Sequence, residues 1–460
     1  MTLKILPFLC LLFALSNIQA QKPDLQFSRS EILEDLDYLN EFLKDAHYNL
    51  YAYTSKRKFR KNYQSIRTTV SKDSFNLLEA TTIFQKVIAA ANNGHTEIDF
   101  PGARYIAYAY SGGTIFPIEI AFENEKCLVR KNFSNNQRID LGSEIISINS
   151  ESMKTILSKV YPLVSAERDY LKQTKIEAIS FPRLYWQLYG QQEVFEVELR
   201  NGSRTEKHTI NAVDLVEGYE TKRTEILDAQ LTLKFYESAA YLNPGDLSGD
   251  EVIYQHFIDS AFTEINTVGK EHLIIDLRNN KGGDNSFGDY LVSYFADQPF
   301  KWCKNIDLKS SKFLKEHTRL YNDTTATYFQ NILRRNDGET YHYEFEPYEP
   351  KTSEKRFHGQ VYVLINRQSH SQSAVTAAQI QDYEFGTIVG EETGDYASLF
   401  ASLFEYPLPN TGIMAKVAKG FITRVNGSKK RLGVIPDIII PDLLRDEKDE
   451  ILDGLLKRLR

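Results

Sequence analysis

Three serines alternate in the stretch Asn366-Arg367-Gln368-Ser369-His370-Ser371-Gln372-Ser373-Ala374. An apolar run, Val361 to Ile365, precedes them, and small residues, Ala374 to Ala378, follow. This spacing predicts a strand, a sharp loop, a helix, and a second strand from Thr387 to Val389. A hydroxyl at a helix start has two uses. It can cap a free N–H of the first turn. It can also be a nucleophile whose attack product is stabilised by neighbouring backbone N–H groups. Residue types alone leave both open. His95, in Gly94-His95-Thr96, lies where a helical pattern hands over to alternating residues. A histidine there is either satisfied by backbone or free to move a proton. Gly282 and Gly283 follow Asp276-Leu277-Arg278 and can offer backbone N–H groups that no Cβ shields.

Several other chemistries lack their residues. The glycine turn has no following Lys-Ser or Lys-Thr, so it is not a phosphate-cradling Walker loop, and it lacks dinucleotide glycine spacing. The nine histidines are scattered, without HExxH, and there is no GxSxG elbow. The net charge of −7, with no long basic run, argues against nucleic acid as the main partner.

The elements that must position these residues fall into textures. Residues Ser28 to Ala91 carry apolar positions at three- and four-residue spacing, such as Ile32, Leu36, Leu39 and Leu43, and predict helices. Short β-like runs follow from about Pro101 to Ala212. After Thr221 the pattern becomes α/β: a strand near Ala229 to Tyr236, a helix from Glu251 to Val268, a strand from Leu273 to Leu277, and a helix from Phe287 to Phe295. The polar stretch Tyr321 to Ser353 reads as a loop or hairpin insertion, and an amphipathic helix, Asp446 to Leu459, ends the chain. At 460 residues, two or three domains are expected.

Lys4 and the apolar stretch Ile5 to Leu15 predict a secretory signal peptide, residues 1–20, cleaved after Ala20. The protein is then exported, to a periplasm or outside the cell, with no stable membrane span. Cys127 and Cys303 remain, enough for one bridge and too few for a disulfide scaffold.

Four stretches, taken in order, resemble the C-terminal-processing, or tail-specific, serine peptidases, a family that includes the tricorn core protease. Asp276-Leu277-Arg278-Asn279-Asn280-Lys281-Gly282-Gly283 is similar to its DLRxNxGG element, and Asn366 to Ala374 to its nucleophile loop. Val389-Gly390-Glu391-Glu392-Thr393-Gly394 and Gly433-Val434-Ile435-Pro436-Asp437 complete the pattern. Leu141 to Asn149 resembles the GDxIxxING run of a PDZ-like domain, with Ser143 where an aspartate is usual.

The resemblance implies an α/β protein with a crotonase-like (ClpP/crotonase-type) protease core. It divides the chain into a helical segment at 21–104, a PDZ-like domain at 105–212 and the core at 213–460. It implies Ser371 as nucleophile, with the N–H groups of Gly283 and Gln372 as oxyanion donors. The positions of the bacterial branch's lysine and glutamine are Tyr396 and Phe400 here, so no Ser/Lys dyad is available. The tricorn-like branch uses a GHT histidine, which implies His95 as general base, and His370 is left to specificity or packing. That branch's glutamate before GVxPD has no counterpart, and Ala374 replaces a further glutamate. Glu392 is a substitute orienting acid, or else a surface glutamate.

The expected activity is serine endopeptidase action on polypeptide, without cofactor or metal. The PDZ-like domain implies β-addition of an extended segment or a free C-terminus near Ser111-Gly112-Gly113-Thr114. A non-catalytic peptide binder is the competing reading, and hydrolysis of a non-peptide ester or amide is a third.

Overall fold

In the computed structural model, residues 25–444 and 448–460 are described, so the predicted signal peptide lies outside the described residues. Capping boxes start two of the first helices. Ser28 with Glu31 opens Arg29–Ala46, and Asn76 with Glu79 opens Leu77–Ile88. The first helix buries Ile32, Leu36, Leu39, Phe42 and Leu43 along one stripe. That stripe packs against Phe313, Phe404 and Tyr406 as well as other helices, with ring centroids of Phe42 and Phe404 5.7 Å apart.

Phe404 and Tyr406 belong to a sheet the sequence reading did not anticipate. Thr340–Tyr343, Asn305–Lys309, Met414–Thr423 and Leu399–Pro407 lie side by side in that order, all antiparallel. The expected loop from Tyr321 to Ser353 supplies one of these strands and the helix Thr327–Arg334.

The sheet that carries the motifs has the order Leu231–Phe235, Ala239–Pro244, His272–Asp276, Gln360–Ile365, Thr387–Gly390, Ile438–Ile439. Its first pair is antiparallel and every other pair parallel. Both faces of its central strands are buried, as parallel strands require. Leu273, Ile275, Val361, Val363 and Ile365 face the helices Glu251–Val268, Asn285–Val292 and Gln372–Asp382. Ile274, Leu364 and Val389 face the last helix, Glu450–Arg458. Asp276 pairs with Leu364 and Ile365 with Gly390, so three parallel strands stop together and their loops open at one edge.

A third sheet is antiparallel and runs Ile118–Glu123, Lys126–Asn132, Glu144–Ile148, Val194–Asn201, Arg204–Asn211. Its apolar positions form a core of their own with Met153–Val160 and Phe181–Tyr189, through Ile118, Val129, Ile148, Ile156, Leu184 and Val197. Gly102–Tyr110 is a helix where β-like runs were expected. Cys127 and Cys303 are buried and unbridged. The crotonase-type core is not what is found, because a mixed sheet shares the catalytic-motif region with a separate antiparallel sheet.

Candidate active site

The nucleophile loop is built by its own polar residues. Ser369 Oγ and Ser373 Oγ donate to the Leu277 carbonyl, at 2.7 and 3.0 Å, tying this loop to its parallel neighbour. Asn366 Nδ2 donates to Asn279 Oδ1 at 2.9 Å, and the His370 N–H to the Asn280 carbonyl at 2.9 Å. Ser371 is the N-cap of the helix Gln372–Asp382, yet its hydroxyl caps nothing. It sits at φ 53°, ψ −121°, a backbone state that costs a non-glycine residue about 1–3 kcal/mol. Such a turn lifts a side chain clear of the helix it starts.

The glycine turn closes on this corner. A Cβ on Gly282 would lie 2.8 Å from Ser371 Cβ and 2.6 Å from the Gln372 nitrogen, so only glycine allows the approach. Gly283 is pressed against Leu247, whose carbonyl would be 1.8 Å from an added Cβ. Among the described residues, neither the Gly283 nor the Gln372 N–H donates to a backbone carbonyl outside regular elements.

His95 arrives from the far side of the chain. Its turn follows the left-handed Asn92 and is held from three directions. Glu167 accepts the Gly94 N–H at 2.8 Å and Asn93 Nδ2 at 3.0 Å. Lys175 Nζ donates to the Gly94 carbonyl at 2.6 Å and pairs with Glu97 at 2.7 Å. The strand Met414–Thr423 takes the rest: Lys416 exchanges both backbone hydrogen bonds with Glu97, and the Ala418 N–H donates to Thr96 Oγ1 at 3.2 Å.

The His95 ring stacks on that of His370, with centroids 5.1 Å apart and planes 5° from parallel. Asp395, on the loop after Thr387–Gly390, joins the two sides. Its Oδ2 lies 2.6 Å from His370 Nδ1 and accepts the Ser371 N–H at 2.5 Å. Burial by itself would raise Asp395, but the charge and hydrogen bond of His370, with His95 and the Ser371 N–H, hold its carboxyl well below the usual range. Burial pushes His95 down to about 4, against the pull of Asp395, so its imidazole is neutral near pH 7. Neither His95 nitrogen has a hydrogen-bond partner, although both are buried.

His95, His370 and Asp395 thus cluster, with Asp395 reaching the Ser371 N–H and Gly282 lying against Ser371. Glu392 does not join them: its Oε1 accepts from Arg168 Nη1 at 2.7 Å and from the Gly433 N–H at 2.8 Å, fastening two loops together. The acid in the cluster is Asp395, which the sequence reading passed over. It follows Thr393-Gly394 and is one of three acids on that strand-end loop, with Glu391 and Glu392, so the sequence carries no signal that singles it out. Tyr396 stacks near Arg168, and Phe400 packs on Tyr48, Tyr53 and Phe421.

The loop Asn366 to Ser373 is also gripped from the helix Asp169–Ile179, which lies on the third sheet. Buried Glu177 accepts the Phe122 N–H at 2.7 Å, pairs with Arg367 Nε at 3.0 Å, and accepts from Gln368 Nε2 at 3.3 Å. At the turn Ser111–Thr114, the N–H groups of Gly112, Gly113 and Thr114 are all engaged, by Ala109 O, Tyr108 O and Tyr108 Oη.

Residues 253–440, the stretch holding the glycine turn, the nucleophile loop and Asp395, match the sequence profile of peptidase family S41. The similarity to peptidase family S41 covers these residues. This is a family of serine-type endopeptidases that takes in the tail-specific and C-terminal-processing proteases. Over 236 residues the chain is 26% identical to a carboxyl-terminal-processing protease of Picosynechococcus, 48% of each protein being covered. It is 33% identical over 181 residues to the tail-specific protease of Haemophilus influenzae, covering 38% of this chain and 21% of that one. The chain thus spans about half or less of the curated relatives it matches. The crystal structure of mature CPAF superposes with a TM-score of 0.62 at 14% identity, over 94% of this chain and 96% of that one. The fold is therefore the S41 peptidase fold seen in CPAF, with mixed β-sheets and helices, and this overturns the expected crotonase-type assignment.

Proposed function

We propose that this chain is a serine endopeptidase that cleaves polypeptide through an acyl-enzyme on Ser371. One observation carries the reading. Of three serines at the helix start, the outer two are engaged by the Leu277 carbonyl, while Ser371 caps nothing and sits on a strained turn against Gly282. His95 takes the hydroxyl proton as Oγ attacks the scissile carbonyl carbon. The N–H groups of Gly283 and Gln372 hold the oxyanion, stabilisation whose loss typically costs about 3–4 kcal/mol. His95 then protonates the leaving amine. A water, deprotonated by the same imidazole, hydrolyses the ester and releases the carboxylate product with Ser371 restored.

Asp395 is the orienting acid in this scheme. It fixes His370 and the Ser371 backbone directly, and through the stacked His370 ring it positions His95. Substrate must bring His95 to about 2.6–3.2 Å from Ser371 Oγ. Residues 105–212 act as a PDZ-like module beside the site. Because the Ser111–Thr114 donors are engaged, an extended segment rather than a free carboxylate is the recognised feature. Amidated and free-acid peptides should be cleaved equally, and a strict need for the free acid would refute this. Export follows from the apolar N-terminal stretch, and no described helix is long and apolar enough to cross a membrane.

The unpartnered His95 ring favours one second reading, a peptide binder that keeps the cleft without catalysis. Labelling with a fluorophosphonate, mapped by mass spectrometry, separates the two. Modification at Ser371 supports the peptidase. A folded protein that never labels and cleaves no peptide mixture is the binder.

A further inference from the structure

A buried imidazole with both nitrogens unpartnered is an anomaly in a chain that satisfies most of its polar groups. His95 is such a residue, only 3% exposed. Each unmet group costs about 1–3 kcal/mol unless something arrives to take its hydrogen bond or lone pair. The groups that face it are His370 and Asp395. One ligating atom from each of the three lies within 4.8 Å of the others.

Two imidazoles and a carboxylate are a donor set that zinc accepts, at about 2.0–2.2 Å per bond, with a fourth position left for water or a substrate atom. Asp395 is the one carboxylate of the triangle, and Lys175 is engaged by Glu97 at 2.7 Å. The His370 side chain is 25% exposed, so the triangle has one edge open to solvent.

We propose that His95, His370 and Asp395 bind a zinc-like divalent cation, and that the bound ion shuts the serine centre by taking the His95 lone pair. The second half rests on the reading of His95 as general base; the first does not. Magnesium and calcium, which want six or more oxygen ligands, should not compete. Copper, nickel and cobalt ions should bind through the same three side chains. The sequence conceals the site, because His95 and the other two ligands belong to different parts of the chain.

The test uses the whole exported chain, stripped with chelator and dialysed. Zinc is titrated in competition with a chromophoric chelator, and cobalt is added separately as a spectroscopic probe. The expected result is one zinc per chain, with affinity unchanged in Ser371→Ala and at least 10-fold weaker in both His95→Ala and His370→Ala. Thermal melting of each variant confirms that it is folded, and Asp395→Asn serves in place of either histidine variant that is not. Absence of binding, or binding undiminished in the folded variants, overturns the site. Fluorophosphonate labelling is then followed with and without zinc. Labelling suppressed at least 10-fold by zinc and restored by chelator supports the shut-off, while labelling indifferent to bound zinc overturns it. A chain that never labels, even without metal, refutes the peptidase reading and with it the shut-off, and the zinc titration still judges the site.

Discussion

The serine corner and the histidine turn meet at one point but are built on opposite plans. The corner, Asn366 to Gln372, is stitched to the adjacent strand-end loop by Ser369, Ser373, Asn366 and the His370 N–H. Its strain is local, held by parallel strands that stop at the same level. The turn Asn92 to Thr96 has few contacts of its own making. It is gripped by Glu167 and Lys175 on one side and by the strand Met414–Thr423 on the other. The same contrast separates the two histidines. His370 has a carboxylate at 2.6 Å, while the His95 ring nitrogens have no hydrogen-bond partner. In the proposed mechanism the nucleophile is thus prepared by local chemistry, and its base depends on how distant parts of the chain dock. A displacement of about 1 Å at such a junction can cost about 100-fold in rate without unfolding either side.

The largest test removes one member from each side. Ser371→Ala and His95→Ala should each lower kcat/KM by about 10⁴-fold or more, with the double variant no worse, since residues acting as one unit are not additive. Steady-state assays on a peptide mixture measure this. If His370→Ala abolishes activity and His95→Ala leaves it within 10-fold, the base is His370 and the comparison collapses.

Next comes Glu177→Ala, which leaves Arg367 buried without its carboxylate. Breaking such a pair typically costs about 3–5 kcal/mol, and chemical denaturation should register a loss of that order. An unchanged denaturation midpoint would mean that the corner needs no support from the helix Asp169–Ile179. Asp395→Asn should lower kcat about 100-fold with little change in KM, because it disturbs the base and the nucleophile rather than the cleft. Loss through KM alone would assign Asp395 to substrate binding.

A pH experiment probes the corner from behind. Asp289 accepts from Gln379 Nε2, on the nucleophile helix, at 2.9 Å, and burial raises its carboxyl to about 6. A raised acid stabilises the fold at low pH, fully below about 4, and that contribution is lost as pH rises through about 6. Asp289→Asn should remove this decline and leave the variant more stable than the parent at pH 7, on the order of 2 kcal/mol. Urea midpoints between pH 4 and 7 decide it, and parallel curves for parent and variant refute it. The smallest effect is expected at Glu392, which fastens loops away from the reacting atoms. Glu392→Gln should change kcat/KM by less than about 3-fold, and a hundredfold loss would restore it as the orienting acid.

Much of this was legible in residue order. The strand, corner and helix around Ser371 follow from an apolar run, serines and small residues in series. The glycine turn is equally local, because glycine alone tolerates the close approach at Gly282 and Gly283. The helix expected from about Glu251 to Val268 is found there. Patterns of this kind are short-range, and the physics that enforces them lies within a few neighbours.

Tertiary structure alone decided the rest. The antiparallel sheet that holds Thr96 and Glu97 joins strands from Asn305 to Thr423, one of them inside a polar stretch that reads as loop. Strand pairing across such separations leaves no periodicity to find. Asp395 became visible as the cluster's acid because the docked chain sets its carboxylate against His370 and the Ser371 N–H, while Glu392 met Arg168 instead. Two acids on one loop differ little as letters. The partner each meets, and hence its charge and its role, is a property of the packed chain.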